Sequence, residues 1–482
     1  MIFVKRPVPL LFRALLLTVV NLLLRLVGTG FGAYLSRRIG AQGIGLLQLT
    51  LSVGGLATIA GIGGIRTAAM YLTAEELGRN KKGGLPWVLS GCLGYSLVCS
   101  LTVGAFLWFF CPYIAENWIG NGGVADSLRL YSCFLPITSL CAVLTGFYTG
   151  CNRIGALAAT EIAEQLFSML VTLFALTLWA GTDPGKACRS VILGNAMGNL
   201  LTFAVLLLFS RQRQLRGERI PVAGRILRSA LPLAVADSCK GGLSTLENLL
   251  VPKRLSLAVA DPLAAFGRIS GMVFPVLMFP ACLLFGLSEL LIPELARCRC
   301  AGKDKRIAHL LQKSLRASLL YGLLLGGLLF LWADGLCQRL YSSPESGTLL
   351  KLFAPLAPML YCDAITDAMT KGLGQQHMAV RFNIFTNILD IICLYFLLPV
   401  WGINGYFISF FLTHALNFYL SLRHLLRITG EKIRFSFPMG GLLCTAFSLG
   451  CSLFVPNPIC AGTAFGILFF CSTYFLGLLN QN

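Results

Sequence analysis

Apolar runs of about 20 residues recur along the chain, and short polar segments separate them. Each run is long enough to cross the roughly 30 Å hydrocarbon core of a bilayer as a helix. The predicted spans, about fourteen in number, lie near residues 10–38, 44–73, 85–110, 127–150, 155–180, 187–210, 229–252, 266–295, 314–333, 347–371, 378–399, 403–423, 435–455 and 458–478. The pattern therefore predicts an all-α polytopic membrane protein.

An internal repeat at an offset of 222 residues divides these spans into two halves. The matching positions are Gly45 and Gly267, Leu128–Leu130 and Leu350–Leu352, Pro136 and Pro358, and Gly150 and Gly372. An even number of spans separates the copies, so both halves enter the membrane in the same sense. This predicts two six-helix lobes related by a pseudo-two-fold axis along the membrane normal. We expect an N-lobe over 1–215, a C-lobe over 216–430 and two C-terminal helices over 431–482.

The composition agrees with this class, because 56% of the residues are hydrophobic, 12% are charged and the mean hydropathy is +0.76. The formal net charge is +19. Of the 39 Lys and Arg residues, 26 fall on the side of the N-terminus and 10 on the other side. This excess predicts that both termini are cytoplasmic. The basic runs at 211–219 and 297–306 are then topology signals next to anionic lipid, and no nucleic-acid partner is expected.

The chain has few features of a metal or cofactor protein. Its 18 cysteines are scattered mostly within spans, without a C-x-x-C motif, and its four histidines have no ligand spacing. There is no phosphate-binding G-x-x-x-x-G-K-[ST] motif, so no ATPase is attached to this chain. We expect no cofactor, and no metal beyond a monovalent coupling cation.

Arg25 interrupts the first apolar run near its middle. An arginine at bilayer depth costs roughly 2.5–3.5 kcal/mol unless it faces protein or water. The small and polar residues within about 60° of it on the helix are Thr18, Asn21, Gly28, Thr29, Gly32 and Ser36. Two interpretations stay open: Arg25 pairs with a carboxylate to assemble the helices, or it lines a cavity for an anionic substrate.

Further charged residues lie within the second and seventh predicted spans. Arg66 shares a face of the second span with Gln48, Ser52, Gly55, Met70 and Thr73. In the seventh span, Asp237, Lys240 and Glu247 lie within an arc of about 80°. A direct pair between Asp237 and Lys240, three residues apart, is the structural alternative to a functional role.

The second half is richer in acids. Asp363, Asp367 and Lys371 follow one another at four-residue spacing in the tenth span. The eleventh span has Asn383, Asn387 and Asp390 on one face. Intramembrane charge is therefore basic in the first lobe but mixed and acid-rich in the second.

Three stretches resemble the stage V sporulation protein B branch of the MOP exporter superfamily. They are RLVGTGFGAYLSRRIGAQGIGLLQL at 25–49, ENLLVPKRL at 247–255 and GRISGMVFPVLMFPACLLFGLSELLIPELAR at 267–297. The superfamily also contains MurJ-type lipid II flippases, Wzx-type polysaccharide flippases and MATE drug exporters. The resemblance covers about residues 25–427.

This resemblance implies a V-shaped, two-lobe transporter whose central cationic cavity opens alternately to each side. In lipid II flippases, arginines of the first, second and eighth spans are associated with the substrate pyrophosphate, and the local matches are Arg25, Arg66 and Arg268. We add Asn21 and Thr29, which share the face of Arg25. Where those flippases often have a second arginine in the first span, this chain has Phe31, which leaves room for another polyprenyl-linked glycan.

Some relatives bind a sodium ion in the second lobe. The candidate ion-coupling residues here are Asp237, Asn387, Asp390, Asp363 and Asp367, with Na⁺ or H⁺ as the coupling ion.

We therefore expect a membrane flippase, not an enzyme, that translocates a polyprenyl-pyrophosphate-linked glycan by alternating access. The glycan would be a peptidoglycan precursor such as lipid II or a polysaccharide repeat unit, used in the spore cortex or cell envelope. The alternative is a MATE-like cation-coupled multidrug antiporter, and a polytopic glycosyltransferase is a third class. We expect a monomer in the bacterial cytoplasmic membrane that contacts membrane lipids and receives its lipid-linked glycan from cell-wall synthesis enzymes.

Overall fold

The computed structural model describes residues 10–78, 84–151, 153–180, 183–211, 222–431 and 436–476. These residues form helices joined by short connections, and no strand occurs among them. The α-helices are α1 (Leu10–Ile62), α2 (Ile65–Gly78), α3 (Leu85–Tyr113), α4 (Ala125–Gly150), α5 (Ile154–Ala175), α6 (Pro184–Arg211), α7 (Ala223–Leu255), α8 (Pro262–Gly267), α9 (Phe274–Met278), α10 (Cys282–Cys300), α11 (Asp304–Tyr341), α12 (Pro344–Phe353), α13 (Ala357–Gly372), α14 (Gln376–Thr429), α15 (Ser436–Ser452) and α16 (Pro458–Phe475).

The two longest helices each contain a sharp break at a glycine. Gly40 in α1 has φ 71° and Gly402 in α14 has φ 54°. Glycine adopts positive φ without the steric cost that a Cβ imposes. Helix α1 therefore covers the first predicted span and most of the second, whose end lies in α2, and α14 covers the eleventh and twelfth.

The polytopic, all-helical class is confirmed. Within the described ranges, nine helices are long and apolar enough to cross a membrane, or ten if one bent pair is counted as a span. The number of about fourteen crossings stays a prediction.

The eighth span differs from the prediction of one continuous helix over 266–295. It is broken between Pro262–Met278 and Cys282–Cys300, which are bent by 61°. Pro280 lies in the break, and its ring removes one backbone donor and clashes with the preceding helical turn. The sequence shows this proline, but the apolar pattern continues through it.

The chain forms two compact units. Residues 38–252 form one, which we call the N-unit, and residues 1–37 with 253–482 form the other, the C-unit. These units follow spatial contacts, so the first part of α1 belongs to the C-unit and most of α7 belongs to the N-unit. The lobe boundaries at 215 and 430 follow the internal repeat of the sequence instead of spatial contacts, and they stay a prediction.

Close helix contacts recur in both units at the repeat offset. A Cβ placed on any of four glycines would lie 3.1 Å or less from a backbone carbonyl oxygen of the neighbouring helix. The contacts are Gly104 to Ser132 (3.1 Å) and Gly150 to Met70 (2.7 Å) in the N-unit, and Gly326 to Ala354 (3.0 Å) and Gly372 to Ile292 (3.0 Å) in the C-unit. Both positions of each N-unit contact recur 222 residues later in the C-unit, so the repeat seen in the sequence extends to the way the helices pack.

Candidate substrate and cation sites

The N-unit contains a cavity of about 530 Å³ between the second part of α1, the start of α2, and α7. Its polar lining residues are Ser52, Arg66, Thr67, Asp237, Lys240, Ser244, Thr245 and Asn248. Part of each polar face predicted for the second and seventh spans therefore lines one cavity, namely Ser52, Gly55 and Arg66 of the second and Asp237 and Lys240 of the seventh. Ser244, Thr245 and Asn248 were not among the predicted residues, because only the packing of α7 on α1 shows that they belong here.

Hydrogen bonds fix α7 beside α1 at this cavity. The hydroxyl of Thr245 donates to the backbone oxygen of Ser52 (3.1 Å), and Nδ2 of Asn248 donates to the hydroxyl of the same serine (3.0 Å). These bonds satisfy polar groups that would be costly to leave without partners at membrane depth. They also hold the polar stripe of α7 towards the cavity.

An ion-pair cluster fixes the beginning of α7 to the end of α2. Arg225 donates to Glu76 (2.7 Å) and to Glu75 (2.8 Å). The hydrogen bond to Glu76 is the largest cause of a raised pKa of the Arg225 guanidinium, and the hydrogen bond to Glu75 raises this pKa further. The cluster lies outside the predicted seventh span, so α7 is held both at its start and within the membrane.

Arg66 lies in the first turn of α2, directly after a tight glycine turn. Gly63 and Gly64 have φ 55° and 68° and separate α1 from α2. A helix N-terminus has a partial positive charge and exposed backbone donors, and it favours anions. No acidic residue lies in the first turn of α2. The arginine and the helix end therefore both favour an anion in this cavity.

The charge of the cavity lining is positive on balance. Arg66 and Lys240 line it together with one acid, Asp237. Among the described residues no salt bridge within 4.0 Å involves any of these three, so the alternative Asp237–Lys240 pair is not formed. Glu161 of α5 interacts electrostatically with Arg66. Glu161 is not part of the described cavity lining, so Arg66 and Lys240 are the two cationic groups that this lining presents to a ligand.

Arg25 lies in the C-unit with an exposed side chain. Its guanidinium carbon lies 5.3 Å from the ring centre of Phe285, a cation–π contact. In the described part of the chain no carboxylate forms a salt bridge with it. The hydroxyl of Thr29 donates to the backbone oxygen of Arg25 (2.8 Å), and the side chain of Asn21 lies outside the described residues. The assembly pair considered for Arg25 is thus not formed among these residues.

Arg268 has a different environment. Its Nη2 forms a salt bridge with Glu345, near the start of α12. The arginine side chain is 26% exposed and that of the glutamate 63%. The sequence pattern did not show this partner, which lies 77 positions later. A phosphate at Arg268 would have to compete with Glu345, and the substrate role of Arg268 stays a prediction.

Asp390 is the most deeply buried acid of the C-unit candidates, with 5% of its surface exposed. The hydroxyls of Ser409 (2.6 Å) and Thr413 (3.1 Å) donate to its Oδ1. The break at Gly402 lets α14 turn back, so these two hydroxyls lie opposite Asp390. Asn387, one turn earlier, is half-buried.

The arrangement at Asp390 offers a carboxylate and two hydroxyl oxygens. Hard cations prefer such oxygen ligands. Among the described residues no group of three His, Cys, Asp or Glu side chains could hold a metal ion. A single carboxylate with neutral oxygens therefore fits a monovalent cation or a proton.

The other two acidic candidates of the C-unit have their own partners. Nδ2 of Asn417 donates to both carboxylate oxygens of Asp363 (3.3 and 3.1 Å). Asp367 forms a salt bridge with Lys371 (2.6 Å). Ser409, Thr413 and Asn417 recur every four residues in the sequence, and this period could have identified them as one polar face of α14.

Two known protein families match segments that include most of these helices. The family described as "Polysaccharide biosynthesis protein" matches residues 10–238, and the MatE family matches residues 255–396. Together with the fold, these matches define a polytopic membrane transporter. The chain is similar to both families over these two segments, which together include most of its residues.

Two relatives to which the chain is similar are sporulation proteins. It is 23% identical over 378 residues to stage V sporulation protein B of Bacillus subtilis (strain 168), which covers 75% of this chain and 72% of that protein. It is 22% identical over 275 residues to sporulation protein YkvU of the same organism, with coverages of 55% and 61%.

Solved structures show the same fold. The lipid II flippase MurJ in an inward closed conformation matches with a TM-score of 0.72 at 14% identity, over 96% of this chain and 99% of that one. An inward-facing MATE family multidrug resistance transporter matches with a TM-score of 0.70 at 13% identity, over 85% and 98%.

Proposed function

We propose that this protein is a flippase that moves a polyprenyl-pyrophosphate-linked glycan across the bacterial cytoplasmic membrane by alternating access. The observation that supports this best is the N-unit cavity, which is lined by Arg66 at the N-terminus of α2, Lys240 of α7 and one acid, with no salt bridge to these three among the described residues. The similarity to stage V sporulation protein B and to the lipid II flippase fold supports the same class of cargo.

The cargo has an anionic head, a polar glycan and an apolar tail. A carrier must shield the head from hydrocarbon while the tail stays in lipid. An arginine suits the head because its planar guanidinium donates two parallel hydrogen bonds to phosphate oxygens and stays charged throughout. Arg66 and Lys240 would bind the pyrophosphate in the N-unit, and Arg25 is the corresponding candidate of the C-unit.

Transport against a gradient needs an energy source, and the sequence has no ATPase motif. One elementary charge moving through 100 mV of membrane potential supplies about 2.3 kcal/mol. We place the coupling Na⁺ or H⁺ at Asp390, where Ser409 and Thr413 complete the oxygen ligands. The protein would then act as a monomer without catalytic chemistry, and both of its termini would lie in the cytoplasm. Cell-wall synthesis enzymes would supply its lipid-linked glycan.

The MATE-like drug antiporter is the second candidate, and the MatE family match over 255–396 favours it. A cationic drug requires carboxylates in the binding cavity. The described lining of the N-unit cavity has two cations and one acid, which disfavours a cationic ligand. The flippase therefore fits this cavity better.

Complementation tests the proposal. Bacteria that depend on one lipid II flippase are depleted of it and supplied with this protein or a variant. We expect the wild type to restore growth, Arg25→Ala to fail although it inserts normally, and Arg25→Lys to be partly active because charge remains without the planar fork. Arg129→Ala, which removes an exposed arginine paired with Asp126, is the control. Full activity of Arg25→Ala would remove the phosphate role of Arg25.

A further inference from the structure

Two membrane spans are broken at corresponding places in the two halves of the chain. In the N-unit the second span is divided at Gly63 and Gly64, between α1 and α2. In the C-unit the eighth span is divided between α9 and α10, next to Pro280. A break leaves the last carbonyl groups of one helix and the first N–H groups of the next without helical partners. At membrane depth these groups need other partners, because lipid supplies none.

Side chains of α3 and α4 donate to the carbonyl groups at the N-unit break. The hydroxyl of Tyr95 donates to the backbone oxygen of Gly63 (3.2 Å). The hydroxyl of Ser139, a fully buried residue, donates to the backbone oxygen of Gly61 (3.1 Å). Two neighbouring helices thus satisfy the end of α1 at this break, while Arg66 lies in the first turn of α2.

Side chains of α11 and α13 support the C-unit break in the same way. Tyr361 of α13 is fully buried, and its hydroxyl donates to the backbone oxygen of Leu277 (2.8 Å), in the last turn of α9. The hydroxyl of Tyr321 of α11 donates to the backbone oxygen of Pro280 (2.8 Å). The centres of the two tyrosine rings lie 5.9 Å apart, so the two donors form one pair at the break.

These four donors follow the internal repeat. Ser139 and Tyr361 lie 222 residues apart, which is the repeat offset. Tyr95 and Tyr321 lie 226 residues apart, about one helical turn from that offset. A serine corresponds to a tyrosine in the first pair, but each residue donates to a carbonyl group at the break of its own half. The repeat therefore includes the support of the break, although the amino acid differs.

Each break also lies next to an arginine that we place in substrate binding. Arg66 is the second residue of α2. The guanidinium carbon of Arg25 lies 5.3 Å from the ring centre of Phe285, the fourth residue of α10, and Arg25 interacts electrostatically with Tyr361. The described first turns of α2 and α10 contain no acidic residue. The partial positive charge of each helix start therefore adds to the charge of its arginine.

We propose that the four hydroxyl groups at the breaks position these arginines and helix starts for the phosphate of the cargo. The positioning residues are Tyr95, Ser139, Tyr321 and Tyr361. Their hydrogen bonds keep each span bent, so that the start of the following helix stays beside its arginine. Without such a donor, the exposed carbonyl groups favour a straighter helix that re-forms backbone hydrogen bonds, and the helix start moves away from the arginine. This inference rests on the proposed function, in which Arg66 and Arg25 bind the phosphate.

Binding of inorganic pyrophosphate to the purified full-length protein tests this through double-mutant cycles. We expect Tyr361→Phe to raise the apparent Kd about tenfold when Arg25 is present, and less than about twofold when Arg25 is already alanine. Tyr95→Phe should show the same dependence on Arg66. Neither tyrosine should couple with the arginine of the other unit. In proteoliposomes with lipid II, both variants should raise KM and leave kcat unchanged.

Tyr148→Phe is the matched control. The hydroxyl of Tyr148 is buried and donates to the backbone oxygen of Leu206 (3.1 Å), which lies within the unbroken helix α6. The variant therefore loses the same type of hydrogen bond at a helix without a break. Its apparent Kd for pyrophosphate should equal that of the wild type.

The possible outcomes separate a positioning role from a general loss of stability. Equal effects of Tyr361→Phe with and without Arg25, an equally large effect of Tyr148→Phe, a lower kcat at unchanged KM, or a wild type that does not bind pyrophosphate would each overturn the proposal. The expected couplings in a protein that translocates no polyprenyl-pyrophosphate glycan would contradict the proposed function and still support the positioning of the arginines.

Discussion

At the scale of single residues, Arg66 lies where two sources of positive potential meet, its own guanidinium and the N-terminus of α2. Arg66→Ala removes the first and leaves the second. Loss of one partner of a charged hydrogen-bonded pair costs about 2–5 kcal/mol, so we expect the apparent affinity for the lipid-linked glycan to fall by about thirtyfold or more. Initial translocation rates measured against substrate concentration in proteoliposomes check this.

Two controls accompany the Arg66 experiment. Arg66→Lys should keep part of the affinity because the charge stays but the bidentate geometry is lost. Arg129→Ala, in the same unit but with its own partner Asp126, should behave as the wild type. Equal affinity of Arg66→Ala and wild type would show that the cavity does not bind the phosphate.

Asp390 supports a separate prediction about coupling. Asp390→Asn keeps the side-chain shape, and its amide can still bond Ser409 and Thr413, but the negative charge is lost. Glycan transport should lose its dependence on a Na⁺ or H⁺ gradient. Transport rates with and without each imposed gradient measure this. Asp334→Asn, an exposed acid paired with Lys351, is the control, and unchanged gradient dependence in Asp390→Asn would place the cation elsewhere.

Sequence patterns at this scale identified residue types but not their partners. Arg66, Asp237 and Lys240 were recognisable because a charge in an apolar run is costly without a function or a partner. The salt bridge from Arg268 to Glu345 could not be predicted, because it joins two separate elements that lie 77 positions apart in the sequence. Local spacing in the sequence determines which residues share a helical face, whereas the pairing of side chains between helices depends on tertiary packing.

At the scale of elements, the turn between α1 and α2 depends on Gly64. Its φ is 68°, and an added Cβ would lie 2.6 Å from the backbone oxygen of Ala230 on α7. We expect Gly64→Ala to cost about 2 kcal/mol or more, from the unfavourable left-handed conformation and from the displacement of α7. The thermal unfolding midpoint of the purified protein should fall by several degrees.

Gly94→Ala is the matched control in the same unit. Nothing lies within 4 Å of an added Cβ there, and the residue is in the interior of α3. Alanine is the better helix former, so stability should stay equal or rise slightly. A Gly64→Ala protein as stable as Gly94→Ala would show that α7 does not approach the turn closely.

The positions of the helices were largely predictable, and their breaks were not. Twenty-residue apolar runs follow directly from the thickness of the bilayer. Gly40 and Gly402 lie at connections so short that helix continues on both sides of each break. The bend near Pro280 interrupts an otherwise unbroken apolar pattern. The hydrophobicity pattern alone cannot predict these helix breaks, because they alter the direction of the backbone without changing the polarity of the sequence.

At the scale of the whole molecule, charge asymmetry predicts the orientation in the membrane. With 26 basic residues on one side and 10 on the other, both termini should be cytoplasmic. A green fluorescent protein fused after Asn482 should fluoresce in cells, whereas alkaline phosphatase at the same point should be inactive. The reverse pattern would invert the predicted topology and with it the side from which substrate enters.

The central claim is that this chain translocates a polyprenyl-pyrophosphate-linked glycan by means of cationic side chains within its helices. The most direct measurement places the purified protein in sealed proteoliposomes with lipid II and follows the fraction of glycan head groups that becomes accessible on the opposite face. We predict rapid translocation by the wild type, at least about tenfold slower translocation by Arg25→Ala, and wild-type rates for Arg129→Ala. Translocation that is no faster than in protein-free vesicles, for lipid II and for other polyprenyl-pyrophosphate glycans alike, would contradict the claim.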